Sequence, residues 1–209
     1  MTTSATASAD LPVQTLAKLT RRPAVRISVD GVKLLSSLDV DPTEHQRRLR
    51  LEVGAVTALG LLHSLWLLPR GLPVPEDRIP PRRLNALREA PQLVTPTARG
   101  FERTYEPPAT VHSVAFSGTR PDRLVERAIR FTPIYERWVL LEDAARTATS
   151  AELALASEWG VGVAKVTPDA VEPIVMPMVG VLGLPAVYRW WLGELSYGAW
   201  LQSSTQLVS

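Results

Sequence analysis

Between Val111 and Val175, short apolar runs alternate with helix-length segments, and that order leaves few ways to fold. Val111 to Phe116 reads as a buried strand, broken by Ser117-Gly118. Pro121 to Arg130 has the helical period, with Leu124, Val125, Ala128 and Ile129 on one face and Arg123, Glu126, Arg127 and Arg130 on the other. Trp138 to Leu141 is a second apolar strand. Ser150 is placed to cap a helix from Ala151 to Trp159, and Gly160 follows where a C-terminal glycine belongs. Val161 to Val166 and Val171 to Val175 are strands joined by a turn at Pro168-Asp169. Strands connected through a helix run parallel, and strands connected by a tight turn run antiparallel. The β-α-β-α-β-β order therefore predicts an α/β (α+β overall) mixed-sheet domain over 109–209. Beyond Pro185 comes a last amphipathic helix carrying Tyr188, Trp190, Trp191, Leu195 and Trp200. Its aromatic stripe reads first as a docking face for the domain's own core.

The first half is punctuated differently. Residues 1–10 read as a disordered Ser/Thr/Ala tail, and 13–19 as a short helix stopped by Arg21-Arg22-Pro23. Val25, Ile27 and Val29 alternate with polar residues, and Asp30-Gly31 signals a hairpin with a return strand over 32–35. Asp41-Pro42-Thr43-Glu44 is a helix start, predicted to run on through the apolar stretch to Leu68. The alternation from Arg48 to Val53 also suits a strand. A proline-studded loop from Pro69 to Pro81 leads to a basic helix over 82–90, and Gln92–Thr95 and Phe101–Glu106 flank a hairpin at Ala98-Arg99-Gly100. Pro107-Pro108 marks the boundary, giving a basic helical and hairpin region over 11–108.

Several function classes are disfavoured. The chain has no cysteine among its 209 residues, which removes disulfides, thiolate metal sites and cysteine nucleophiles. The longest apolar run, Val53 to Leu68, spans about 24 Å as a helix against a bilayer core of roughly 30 Å, so no membrane association and a cytoplasmic location are expected. Residues 1–140 hold 20 Lys and Arg against 14 Asp and Glu, whereas 141–209 hold 3 against 7. A basic front suits a polyanion, although Arg outnumbers Lys 20 to 3 and that bias also follows from coding composition.

Catalytic chemistry is poorly marked. The three histidines, His45, His63 and His112, share no metal-ligand spacing, and His63 in its apolar helix reads as a core histidine. No Gly-x-Ser-x-Gly elbow is present. Phe116 to Arg120 is a strand–turn–helix that offers Arg120 and backbone amides to one phosphate, but it lacks a P-loop's glycine and lysine pattern. No catalytic residue, metal ligand or cofactor is assigned. The remaining basic groups are Arg47, Arg48 and Arg50; Arg78, Arg82, Arg83 and Arg88; and Arg99 and Arg103. A helix, a basic second helix and then a hairpin resembles the order of a winged-helix DNA reader, with Arg82, Arg83 and Arg88 on the candidate recognition helix.

The pieces Val111–Phe116, Pro121–Arg130, Trp138–Glu142, Ala151–Trp159 and the Gly160-x-Gly162 strand resemble the core of the restriction-endonuclease-like (PD-(D/E)XK) superfamily over about residues 111–177. That resemblance implies a metal-binding acid and a lysine on the first strand. The matching positions are Ala115, Phe116 and Ser117, which hold neither. It therefore implies a nuclease-like scaffold without nuclease chemistry, since Mg²⁺ needs carboxylates beside the scissile phosphate. The expected function is non-catalytic association with DNA through Arg82, Arg83, Arg88, Arg120, Arg123 and Arg127. One alternative is a protein-interaction module that docks a partner, or a second copy, through the aromatic C-terminal helix. Another is a divergent Mg²⁺-dependent nuclease using displaced acids such as Asp122 and Glu136.

Overall fold

The computed structural model describes residues 5–131, 135–142, 145–167, 170–178 and 186–206. The chain runs α1 (Ala5–Thr20), β1 (Ala24–Val29), β2 (Val32–Val40), α2 (Pro42–Arg50), α3 (Leu59–Trp66), a 3-10 turn (Glu76–Arg78) and α4 (Pro81–Arg88). It continues through β3 (Val94–Thr97), β4 (Gly100–Arg103), β5 (Ala109–Gly118), α5 (Pro121–Arg130) and β6 (Glu136–Leu141). The last elements are α6 (Ser150–Glu158), β7 (Val161–Val166), β8 (Val171–Val175) and α7 (Ala186–Gln206). The class is mixed α/β, as expected. Two compact units are drawn from separate stretches: Met1–Asp39, Val111–Gly183 and Ala199–Ser209 in the first, and Val40–Thr110 with Leu184–Gly198 in the second.

The first unit holds a six-stranded sheet in the order β1-β2-β5-β6-β7-β8. The β5–β6 and β6–β7 pairs are parallel and β7–β8 is antiparallel, which matches the crossover reasoning. Two strands from the front half of the chain also join this sheet. The β1–β2 hairpin forms at Asp30 and Gly31, both with positive φ (49° and 78°), which suits the twist of the strands it joins. The return strand does not stop at 35. It continues to Val40 with Leu34 to Leu38 buried without interruption, so Ser36 and Ser37 disguise a strand covered on both faces. Leu16, Leu35, Ala115, Trp138, Leu140, Ala164 and Val166 pack together as the core.

The expected helix over 121–130 forms, with Leu124, Val125 and Ala128 buried. The cap of α6 is Thr149, one residue before the expected Ser150. Its hydroxyl accepts the Glu152 N–H while the Glu152 carboxylate accepts the Thr149 N–H, and only the Thr-x-x-Glu spacing permits that reciprocity. Gly160 adopts φ +64° behind this helix. Gly162 has a different reason to be glycine, since a Cβ there would lie 2.7 Å from Trp138 Cε3. The turn expected at Pro168-Asp169 lies outside the described residues, as do 1–4 of the expected tail; α1 already begins at Ala5, before the helix expected over 13–19.

Arg137 on β6 is buried and has no carboxylate partner among the described residues. Its guanidinium donates to the carbonyls of Ala128, Ile129, Phe131 and Trp159. These carbonyls end α5 and α6, where the helix dipoles carry partial negative charge. Burial holds this guanidinium below the ordinary arginine range.

In the second unit, Asp41 caps α2 through the N–H groups of Thr43 and Glu44, with Pro42 in the first turn. The helix does not continue to Leu68. Glu52 takes φ +54°, its N–H returns to the Leu49 carbonyl, and the Val53 N–H returns to the Arg48 carbonyl at 2.9 Å. This is the Schellman ending, here without its usual glycine. The chain then runs irregularly to α3, so the single long helix becomes two short ones, and the strand reading of 48–53 is not realised either. Among the described residues, no helix is long and apolar enough to cross a membrane.

Arg48 explains the break. Its sequence neighbours suggest a solvated arginine, but it is fully buried. All five of its N–H donors are used: Nε to Glu44 Oε1 at 2.8 Å, Nη1 to Glu194 Oε2 at 2.9 Å and to the Gly54 carbonyl, Nη2 to Glu194 Oε1 at 2.7 Å and to the Glu106 carbonyl. The Gly54 contact holds the chain in its turn past Arg50. Burial opposes the Arg48 charge, but the Glu194 and Glu44 carboxylates outweigh it and raise its pKa above the ordinary arginine value. Tyr105 donates its hydroxyl to Glu194 at 2.9 Å, and burial followed by that carboxylate pushes the phenol far up. Arg47 forks onto Glu44 as well. Of the first basic group, only Arg50 faces solvent without an ion pair among the described residues.

Candidate nucleic-acid interface

Within the second unit, α3 is followed by an extended segment, the 3-10 turn, α4 and the β3–β4 hairpin. The extended segment bridges the hairpin: Arg70 pairs with Arg103 in parallel and Val74 with Phe101 antiparallel, the latter through bonds of 2.8 and 2.9 Å. Gly100 permits this approach, because a Cβ there would fall 2.0 Å from the Val74 carbonyl oxygen. Leu62, Leu65, Ile79, Leu87, Leu93, Val94 and Phe101 form the core beneath, joined by Tyr105 and Val187. The result is helix, extended segment, turn, helix and two-stranded hairpin, with α4 following a tight turn closed by Ile79 and Pro80.

Helix α4 turns Leu87 inward and leaves Arg82 and Arg88 exposed and Arg83 half-buried. Arg88 is ion-paired to Glu76 at 2.6 Å. Arg82 and Arg83 make no ion pair among the described residues. At the hairpin tip Arg99 is exposed, its N–H accepted by Thr97 Oγ1. Arg103 lies 5.0 Å over the Trp190 ring, so its charge is engaged within the unit. An open cleft of about 750 Å³ lies between α3 and α4, lined by Ala58, Gly60, His63, Arg82, Arg83 and Glu89 among others.

The remaining candidate arginines belong to the first unit and are largely neutralised there. Arg120 sits 2.8 Å from Asp122, and Arg123 lies 3.7 Å from Glu126 and 3.9 Å from Asp122. Arg127 is exposed with no ion pair among the described residues. Asp122 also faces Arg146 at 3.6 Å, and the Arg120 bond leads in lowering its pKa. The single phosphate suggested for Phe116 to Arg120 would meet an arginine already paired. A smaller cavity of about 110 Å³ lies at the carboxyl ends of β6 and β7, lined by Leu141, Glu142, Arg146, Lys165 and Ile174 among others.

The positions matched to metal-binding residues lie on β5, where Ala115 and Phe116 are buried. Glu136 accepts the Ser113 hydroxyl at 3.0 Å. Among the described residues, no group of three or more His, Asp or Glu is arranged to hold a metal ion. His45 Nδ1 lies 2.9 Å from the Tyr197 hydroxyl, and His112 Nε2 lies 2.8 Å from Asp39 Oδ2. His63 is half-buried and lines the α3–α4 cleft instead of filling the core. A lone histidine in an apolar helix gives no sign of that. On α7, Trp190 packs on Tyr105 and the Trp191 Nε1–H donates to the Thr57 carbonyl, so both serve the unit's own core.

Comparison with protein-family models, with curated proteins and with solved structures finds no match to this chain.

Proposed function

We propose that the second unit is a winged-helix-like module that binds duplex DNA through α4 and the β3–β4 wing. The observation that carries this reading is a basic helix followed by a hairpin that shares its core, Leu87 of α4 clustering with Val94 and Phe101, while Arg70 and Val74 bridge to the hairpin. Recognition helices of this type present their N-terminal residues to base edges. On α4 those residues are Arg82 and Arg83, both without an internal ion partner among the described residues. Arginine in this place is suited to a guanine edge or to phosphate. Arg99 at the wing tip supplies a phosphate contact, and Arg88, tethered to Glu76, is assigned to positioning.

In this reading the first unit is a nuclease-like scaffold that does no hydrolysis. Support comes from the β-α-β-α-β-β order and from Ala115, Phe116 and Ser117 standing at the metal-binding positions. Asp122 and Glu126 are engaged by neighbouring arginines, and Glu136 by Ser113. A cytoplasmic, DNA-associated protein is the reading that goes with this.

An anisotropy titration at low salt with a labelled mixed-sequence duplex, and with one of its strands alone, tests the proposal. Tighter binding of the duplex is expected, and it should weaken in Arg82→Ala and Arg83→Ala. Absence of binding to both forms would overturn it.

A further inference from the structure

The α3–α4 cleft has the size of a ligand site, and its lining sets two arginines against one carboxylate. Its volume of about 750 Å³ lies within the range of small-molecule pockets. Ala58, Leu61, Ala86 and Ala90 give it an apolar wall. Opposed to that wall in character are the guanidiniums of Arg82 and Arg83 and the imidazole of His63, against a single carboxylate, Glu89. The start of α3 adds to the positive side. Its N-cap Ala58 gives no side-chain oxygen to the first-turn amides, and Ala58 and Gly60 both line the cleft.

An inorganic anion would use the cations and leave most of this volume to water. A purely apolar molecule would leave both guanidiniums unused. A molecule with phosphate at one end and a flat, weakly hydrated body at the other satisfies both halves.

We propose that the α3–α4 cleft binds a nucleotide-sized phosphate monoester, supplied either as a free mononucleotide or as the 5′-phosphorylated end of a DNA strand. The inference rests on the DNA reading in one respect, because Arg82 and Arg83 serve both. An occupied cleft withdraws them from the duplex, so the two ligands compete.

Calorimetric titration of the full chain with AMP, with adenosine and with a short single strand carrying 5′-phosphate or 5′-hydroxyl tests this. Saturable one-to-one binding of AMP is expected, with adenosine about tenfold weaker or worse, and Arg83→Gln should weaken AMP about tenfold. Gly60→Leu should weaken binding at least tenfold with every charge retained. A Cβ at Gly60 meets nothing within 4 Å, and leucine favours the helix, so this variant narrows the cleft at the start of α3 without threatening the fold.

A 5′-phosphorylated strand that outbinds both AMP and the 5′-hydroxyl strand would identify the DNA end as the source. Strong AMP binding with indifferent strands would identify the free nucleotide. No saturable binding of any phosphate probe overturns the proposal, as does AMP binding that survives both Gly60→Leu and Arg83→Gln. Duplex affinity measured on the same preparation separates the two readings. Duplex binding without any phosphate-monoester binding overturns the cleft proposal alone, whereas AMP binding without duplex binding supports the cleft and removes the DNA reading.

Discussion

Arg48 and Glu194 meet as a fully buried, two-pronged ion pair, with N–O distances of 2.7 and 2.9 Å, 146 residues apart in sequence. Glu44 takes the remaining Nε–H, Tyr105 donates to Glu194, and the Val56 N–H donates to the same carboxylate at 2.7 Å. Within the second unit this network ties together α2, the irregular segment after it, residues 105–106 and the part of α7 that carries Glu194. Arg47 supplies a second cation to Glu44, so two arginines face two glutamates.

Removing either partner unbalances the cluster: without Arg48, Glu194 is left buried with no cation, and without Glu194, Arg47 and Arg48 share the single carboxylate of Glu44. Glu194→Gln or Arg48→Met should therefore destabilise the second unit by about 3–5 kcal/mol. Urea unfolding followed by tryptophan fluorescence reads this directly, since Trp190 lies against Tyr105. The double variant should recover part of the loss, because no unpaired charge then remains.

The Glu152 carboxyl is held at a pKa of about 2, chiefly by its bond from Arg146 and then by the Thr149 N–H. Its folded value lies below its unfolded value near 4.5, so its stabilising contribution is complete above pH 4.5 and is lost as pH falls toward 2. Wild type should lose stability over that acid window more steeply than Glu152→Gln. Parallel slopes from pH-dependent unfolding of the two would contradict the assignment.

Glutamate at φ +54° ends α2 at a position where glycine carries no Cβ penalty. Glu52→Gly should stabilise the protein by about 0.5–1 kcal/mol, a small gain for a substitution that usually costs stability inside a helix. Thermal unfolding would show it as a raised midpoint.

Gly162→Ala should do the opposite. Its Cβ would meet Trp138 ring atoms at 2.7 and 2.9 Å and Pro177 Cδ at 2.9 Å, and the tryptophan is buried with little room to retreat. A loss of about 1–3 kcal/mol is expected in chemical denaturation.

Sequence exposes what is local. The alternation of apolar runs and an amphipathic helix predicts β5 to β8, with β5, β6 and β7 parallel and β8 antiparallel, and Asp30-Gly31 predicts the first hairpin. Nothing local says that this hairpin pairs with a strand some 70 residues further on, so membership of β1 and β2 in the sheet is invisible at that level. Long-range charge pairing is hidden for the same reason. Arg48 stands in the run Arg47-Arg48-Leu49-Arg50, which looks solvated, and its partner Glu194 lies among tryptophans near the other end of the chain. The break after Arg50 follows from that pairing and from a left-handed glutamate, a residue that carries no turn signal. On the candidate interface, the basic helix and the hairpin are legible, but the bridge at 70–74 is hidden in a proline-rich stretch, and His63 looks like core. The sequence candidates Arg120 and Arg123 have acidic neighbours, whose contacts depend on side-chain placement that spacing alone does not determine.

The salt dependence of duplex affinity, compared between wild type and the Arg82→Ala/Arg83→Ala double variant, tests the DNA-binding proposal most directly. Wild type should bind with log K falling linearly against log salt. The variant should bind more weakly with a slope shallower by about 1 to 2, one unit for each phosphate that is no longer neutralised. Equal affinities and equal slopes would show that α4 does not meet the duplex.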